Sequence, residues 1–237
     1  FELTNNEQIT LIAGSIDLGE ENELYKMTVE NYELKPSEVA INKWAEQTYY
    51  YNANATNPGD LRGPVGSYIG PDNSMDVQAS ENVITKYLIL ESDAQSSQAI
   101  FMYRVATLYL RYAEAVNRAG KPNLAFAVLK HGMNSDALAV DTIVPRHEKY
   151  SVYTDSTGTF IDYIDFENIV FDQNIGVHSR GCGNVDRSLD FIIPPSSTLQ
   201  DSINYVEDKI IEELALETAF EGGRFQDLMR IAIRRGD

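Results

Sequence analysis

Two stretches of apolar residues at helical spacing, each closed by glycine, constrain this 237-residue chain more than any other feature. Between Ile100 and Ala119, residues Phe101, Val105, Leu108, Tyr109, Tyr112, Ala113 and Val116 recur three and four apart, which predicts a helix with one apolar face. Gly120 follows as a C′ residue, Pro122 blocks continuation, and Asn123 is placed to cap a second helix carrying Leu124, Ala127 and Val128. The second stretch sets Ile203, Val206, Ile210, Ile211, Leu214 and Ala215 on one stripe. Gly222-Gly223 interrupts it, and Phe225, Leu228, Met229 and Ala232 resume it at i, i+3, i+4 and i+7. Arg230, Arg234 and Arg235 fall at the end of the last helix, where positive charge complements the macrodipole. Short connections predict two antiparallel helical hairpins. No period of about 34 residues relates them, so a regular repeat array is not expected, but each hairpin leaves apolar surface that further pairs would cover by stacking.

The remainder reads as loops and short strands. Met27 to Leu34, Gln47 to Asn52 and Val83 to Leu90 are β-branched and aromatic runs, and Asn57-Pro58-Gly59-Asp60-Leu61-Arg62-Gly63-Pro64 is a long ordered loop. Asp155-Ser156-Thr157-Gly158 and Gly181-Cys182-Gly183 signal turns, and Phe191-Ile192-Ile193-Pro194-Pro195 reads as a strand ended by proline. The expected fold is mainly α with irregular loops and short strands. It is a single domain divided into a loop and strand region (1–98), a first hairpin (99–134), a loop-rich insertion (135–200) and a second hairpin (201–237).

Charge removes one class of partner. With 36 acidic and 19 basic side chains the formal charge is −17, which repels a phosphate backbone, so nucleic acid is not expected. The hydrophobic content of 43% is enough to bury a core. No run approaches the roughly 20 apolar residues that cross a bilayer. Phe1 is not an initiator methionine, and neither a signal peptide nor a lipidation cysteine follows it, so the chain reads as a piece of a longer protein.

The segment from Arg104 to Pro122, containing Tyr112-Ala113-Glu114-Ala115-Val116-Asn117-Arg118-Ala119-Gly120, resembles a helical signature of the SusD/RagB family. Ile211 to Arg230, with Glu217-Thr218-Ala219-Phe220-Glu221-Gly222-Gly223-Arg224-Phe225-Gln226-Asp227-Leu228, is similar to the signature near that family's C-terminus. Gly59-Asp60-Leu61-Arg62, Thr85-Lys86-Tyr87 and Ile192-Ile193-Pro194 match smaller landmarks, so the likeness runs over most of residues 30 to 235. Leu214 departs from it, standing where the family commonly carries arginine, and an ion pair of the pattern must be absent or replaced.

The resemblance implies the C-terminal half of a SusD-like fold of tetratricopeptide-like hairpins. It implies a non-enzymatic outer-membrane lipoprotein, exposed at the cell surface, that binds poly- or oligosaccharide and delivers it to a TonB-dependent SusC-type porin. Membrane attachment would come only through an N-terminal lipid anchor absent from this chain. A scaffold that docks to the porin, or a binder of peptide or glycopeptide, is the alternative. In either case Glu217, Glu221, Arg224 and Asp227 are expected to form buried or half-buried ion pairs across the second hairpin.

Sugar recognition needs apolar platforms flanked by planar hydrogen-bonding groups. Residues 44 to 68 match best, and the candidate ligand contacts are Trp44, Tyr49, Tyr50, Asn52, Arg62 and Tyr68, although alternating tyrosines serve equally as sheet packing. His178 and Cys182 share a glycine-flanked loop, but His131 and His147 are remote and no second cysteine exists, so no zinc site is expected. Cys182 reads instead as a small buried hydrophobe. The acidic groups Asp17, Glu20, Glu21 and Glu23, and Asp162, Asp165 and Glu167, lack EF-hand spacing and read as solvated loop charge. No catalytic residue, metal or cofactor is expected: a nucleophile elbow, a phosphate-cradling glycine loop and a His-Glu-x-x-His helix are all missing.

Overall fold

A computed structural model describes residues 8–12, 22–50, 56–64, 66–71, 81–87, 100–154, 156–158, 160–162, 175–183, 191–195 and 198–236. In chain order the elements are β1 (Gln8–Ile12), α1 (Glu23–Tyr25), a π turn (Lys26–Glu30), α2 (Glu38–Ala45), β2 (Thr48–Tyr50), β3 (Thr56–Pro58), β4 (Tyr68–Ile69), β5 (Val83–Ile84) and β6 (Ile100–Arg104). There follow α3 (Val105–Arg118), α4 (Pro122–Lys130), α5 (Ser135–Ala139), α6 (Arg146–Lys149), β7 (Tyr150–Thr154), β8 (Phe160–Asp162), α7 (Val177–Cys182), α8 (Leu199–Glu217) and α9 (Arg224–Arg235). The described chain is thus mainly helical with short, two-stranded sheets.

Two compact units are built from interleaved segments. The first gathers Phe1–Thr48, Pro58–Leu108 and Ala215–Asp237, and the second Tyr49–Asn57 and Tyr109–Leu214. In the first, β1 pairs antiparallel with β6, β4 pairs with β5, and Trp44, Val83 and Ile84 are buried. In the second, Leu124, Ala127 and Val144 form a buried cluster joined by Val116, Leu138 and Ile143, so the end of α3 packs with α4 and α5. The side-chain amide of Asn117 donates to the Ile203 carbonyl at 2.9 Å, tying α3 to the start of α8.

The turn after α3 is the one the sequence requires. Gly120 adopts φ +82°, its N–H donates to the Asn117 carbonyl at 3.0 Å, and Lys121 N–H donates to the Val116 carbonyl at 3.1 Å. This pair of bonds is a Schellman closure, and a left-handed residue at its centre favours glycine. The cap of α4 differs from expectation. Asn123 lies inside the helix, and the buried Glu148 carboxylate of α6 accepts from Leu124 N–H at 2.8 Å and from the Asn123 amide at 2.6 Å. An acid from a separate helix thereby satisfies an orphan donor at the positive end of α4.

Four further expectations are corrected. Residues 100–104 form a strand rather than the first turns of a helix, because Gln8 to Ile12 supplies a pairing edge for this alternating aromatic and apolar run. Residues 26–30 coil helically, with the Asn22 side chain accepting from Leu24 N–H at 2.9 Å and the Thr28 hydroxyl donating to the Leu24 carbonyl at 2.6 Å. His178 to Cys182 lies in a short helix instead of a loop. Phe191 to Pro195 is bent chain, not strand, consistent with two prolines that cannot donate to a ladder. Of the strand expected over 83–90, Val83 and Ile84 are strand, and 88–90 lie outside the described residues.

Candidate functional site

The residues of three sequence landmarks meet at one place in the first unit. Asp60 is fully buried, and its carboxylate accepts from the Arg62 backbone N–H at 2.8 Å and from the Arg62 guanidinium at 2.5 and 3.0 Å. Arg62 reaches on to Glu217 at 3.3 Å, and Arg104, the last residue of β6, meets Glu217 at 3.1 Å and Glu221 at 2.7 Å. Lys86 pairs with Glu221 at 2.6 Å. Three carboxylates and three cations therefore balance in a half-buried cluster, which is the condition under which buried charge is tolerated.

The same cations close the end of α8. A helix leaves its last carbonyls without intrahelical partners and carries partial negative charge there. Arg104 donates to the Glu217 carbonyl at 2.9 Å, Lys86 donates to the carbonyls of Glu217 at 3.2 Å and Ala219 at 3.0 Å, and the Tyr87 hydroxyl donates to the Phe220 carbonyl at 2.7 Å. Phe220 stands at φ +66°, unusual for a bulky residue, and is held there because its carbonyl takes Tyr87 while its ring packs on Trp44.

Electrostatics follow the geometry. Burial pulls the Lys86 ammonium below the ordinary lysine range, with Glu221 opposing the shift. Burial also acts to lower Arg104, but Glu221 and Glu217 outweigh it and hold the guanidinium above its usual value. Burial, reinforced by Glu221, pushes the Tyr87 hydroxyl up to about 12. Cations that pair with the carboxylates and also hold the last carbonyls of α8 make the cluster a fastening of the fold.

The candidate sugar contacts fall in both units. Trp44 lies on α2 at 0% exposure, packed on Tyr68 at 5.7 Å and Phe220 at 6.0 Å, so its ring offers no platform to a ligand. Gly63 lies against that ring so closely that a Cβ would stand 2.6 Å from it, and glycine is needed there for packing. Tyr68 is half-buried on β4, and Arg62 is engaged in the ion cluster. Tyr49 and Tyr50 are half-buried on β2, belong to the second unit, and Tyr50 bridges to Gly183. Asn52 lies outside the described residues.

Glu217 and Glu221 bind Arg62, Lys86 and Arg104 from distant segments, and Asp227 meets Arg230 on its own helix at 3.5 Å. Arg224 is half-buried. Buried Leu214, where the resemblance would place arginine, needs no counter-ion. Sequence reasoning noted Asp60-Leu61-Arg62 and Lys86-Tyr87 but missed that both serve the end of α8; basic residues next to aromatic or acidic neighbours in loop regions were the signal.

The second unit holds a different buried polar centre. His178 Nδ1 lies 2.5 Å from Glu213 Oε1, its ring stacks on Phe191 at 3.7 Å, and Phe191 stacks on Phe126 at 4.8 Å. Lys130 donates to the Phe191 carbonyl at 2.9 Å, the Ser179 hydroxyl donates to the Lys130 carbonyl, and Cys182 is buried beside them in sequence. Among the described residues no group of three or more His, Cys, Asp or Glu is arranged to hold a metal ion; Asp17, Glu20, Glu21, Asp165 and Glu167 lie outside them. Among the described residues no helix is long and apolar enough to cross a membrane. Comparison with family models, curated proteins and solved structures finds no match for this chain.

Proposed function

We propose that this chain is the C-terminal half of a SusD/RagB-type cell-surface lipoprotein, a non-catalytic binder of poly- or oligosaccharide that passes its ligand to a TonB-dependent SusC-type porin. The observation that supports the reading is the convergence of Asp60-Arg62, Lys86-Tyr87 and Glu217-Glu221. Residues that resemble a family's landmarks yet lie far apart in sequence have a reason to occur together when they fasten one scaffold. On this reading α3 with α4, and α8 with α9, are tetratricopeptide-like pairs, and the loops between them carry recognition.

Affinity electrophoresis through gels containing starch, xylan or mixed-linkage glucan tests the proposal. At least one glycan is expected to retard the protein, and Tyr50→Ala or Tyr68→Ala to relieve the retardation. Unretarded migration in a broad glycan panel would remove the binding role. The complete burial of Trp44 favours a second reading, in which this part of the protein is a scaffold docking to the porin and binds no sugar itself. Co-purification with the porin in the absence of any glycan binding would select it.

A further inference from the structure

The basic side chains of this protein are already engaged inside it. Of the 19 lysines and arginines all but Arg187 are described, and each of those has an interaction within the chain. Lys149, for example, pairs with Asp141 at 2.7 Å, and Lys130 donates to the Phe191 carbonyl at 2.9 Å. The acids differ. Glu30, Glu33, Glu38 and Glu46 are exposed and have no ion-pair partner among the described residues. The excess that gives the chain its formal charge of −17 is therefore presented to solvent as carboxylate.

The candidate sugar contacts follow the same pattern. Arg62 is the one cation among them, and its guanidinium is held by both carboxylate oxygens of Asp60 and by Glu217, with 12% of the side chain exposed. Trp44 is buried, which leaves the half-buried Tyr49, Tyr50 and Tyr68 among the described contacts. Phenol rings stack on the CH faces of sugars, and their hydroxyls exchange hydrogen bonds with sugar hydroxyls, but they offer no countercharge to a carboxylate or sulfate. A polyanion approaching an acidic surface meets repulsion that only available cations would offset. We propose that the glycan bound by this protein is uncharged, and that uronate-rich and sulfated polysaccharides are rejected because they meet surplus carboxylate and no free cation among the described residues. This inference rests on the sugar-binding reading and adds the class of sugar to it.

Isothermal titration calorimetry with the full chain tests this, with a chelator present so that no divalent cation bridges like charges. Lightly substituted hydroxyethyl and carboxymethyl forms of starch, xylan and mixed-linkage glucan, matched in degree of substitution, differ in charge but little in bulk. In any pair that binds, the hydroxyethyl form is expected to bind at least about tenfold more tightly at low ionic strength. That ratio should shrink as salt rises, because screening relieves the repulsion of the carboxymethyl form and leaves its neutral counterpart unchanged. Chondroitin sulfate and polygalacturonate are expected to bind more weakly than any neutral glycan that binds. Equal or tighter binding of a carboxymethyl form, or either acidic polysaccharide as the tightest ligand, overturns the proposal and leaves the sugar-binding reading standing. Binding to none of these glycans overturns both.

Discussion

Two buried polar centres, one in each unit, are built in different ways. In the first, Glu217 and Glu221 are each shared between cations, and those cations also hold the carbonyls that end α8. In the second, one imidazole faces one carboxylate, His178 against Glu213, inside a stack of Phe191 and Phe126. Shared charges are hard to replace because each removal unbalances several partners, whereas an imidazole stacked on an aromatic ring can be exchanged together with its carboxylate for apolar side chains of similar shape. The first arrangement locks segments from 60 to 221 into one register, and the second principally packs α7 against α4 and α8.

The largest expected effect lies in the first unit. Glu217→Ala takes one of two carboxylates from each of Arg62 and Arg104, leaves the cluster with one cation in excess and is expected to cost about 3 to 5 kcal/mol. Urea unfolding followed by the fluorescence of Trp44, the sole tryptophan, reports it directly. Next, Glu213→Ala should cost about 1.5 to 3 kcal/mol, but the joint change His178→Phe/Glu213→Leu should recover most of that loss. If the joint change were as damaging as the single one, the contrast between the two centres would fail.

Glu148→Ala removes the acid that closes the start of α4 and should cost about 1 to 2 kcal/mol, measured by the urea midpoint of far-ultraviolet circular dichroism. Tyr87→Phe is the mildest, at about 0.5 to 1.5 kcal/mol near neutrality. It also has a pH signature. The Tyr87 hydroxyl titrates near 12 in the folded chain against 10 when unfolded, so its contribution is complete below pH 10 and drains away as pH rises towards about 12. The variant should lack that decline, leaving the similar one expected of half-buried Tyr112. Urea midpoints at pH 9, 10 and 11.5 separate the two proteins.

Helices α3, α4, α8 and α9 were legible because amphipathic spacing and glycine stops are local signals, and the Gly120 turn formed as its sequence requires. Residues 100–104 misled because Phe101, Val105 and Leu108 keep helical spacing, while the partner that makes them a strand lies some 90 residues earlier in Gln8 to Ile12. The site was less legible for the same reason. Charge and aromaticity nominated Trp44 and Arg62 as sugar contacts, and packing engages both internally: Trp44 against Phe220, Arg62 against Asp60 and Glu217. Nothing local to Lys86-Tyr87 announces that its partners are backbone carbonyls about 130 residues away.

That the landmark residues are fasteners of the fold is tested most directly by a double-mutant cycle on Arg104→Met and Glu217→Gln, read by urea unfolding through Trp44 fluorescence. A coupling energy above about 1.5 kcal/mol is expected for the pair. A coupling below about 0.3 kcal/mol, with both single variants as stable as the parent protein, would contradict the account.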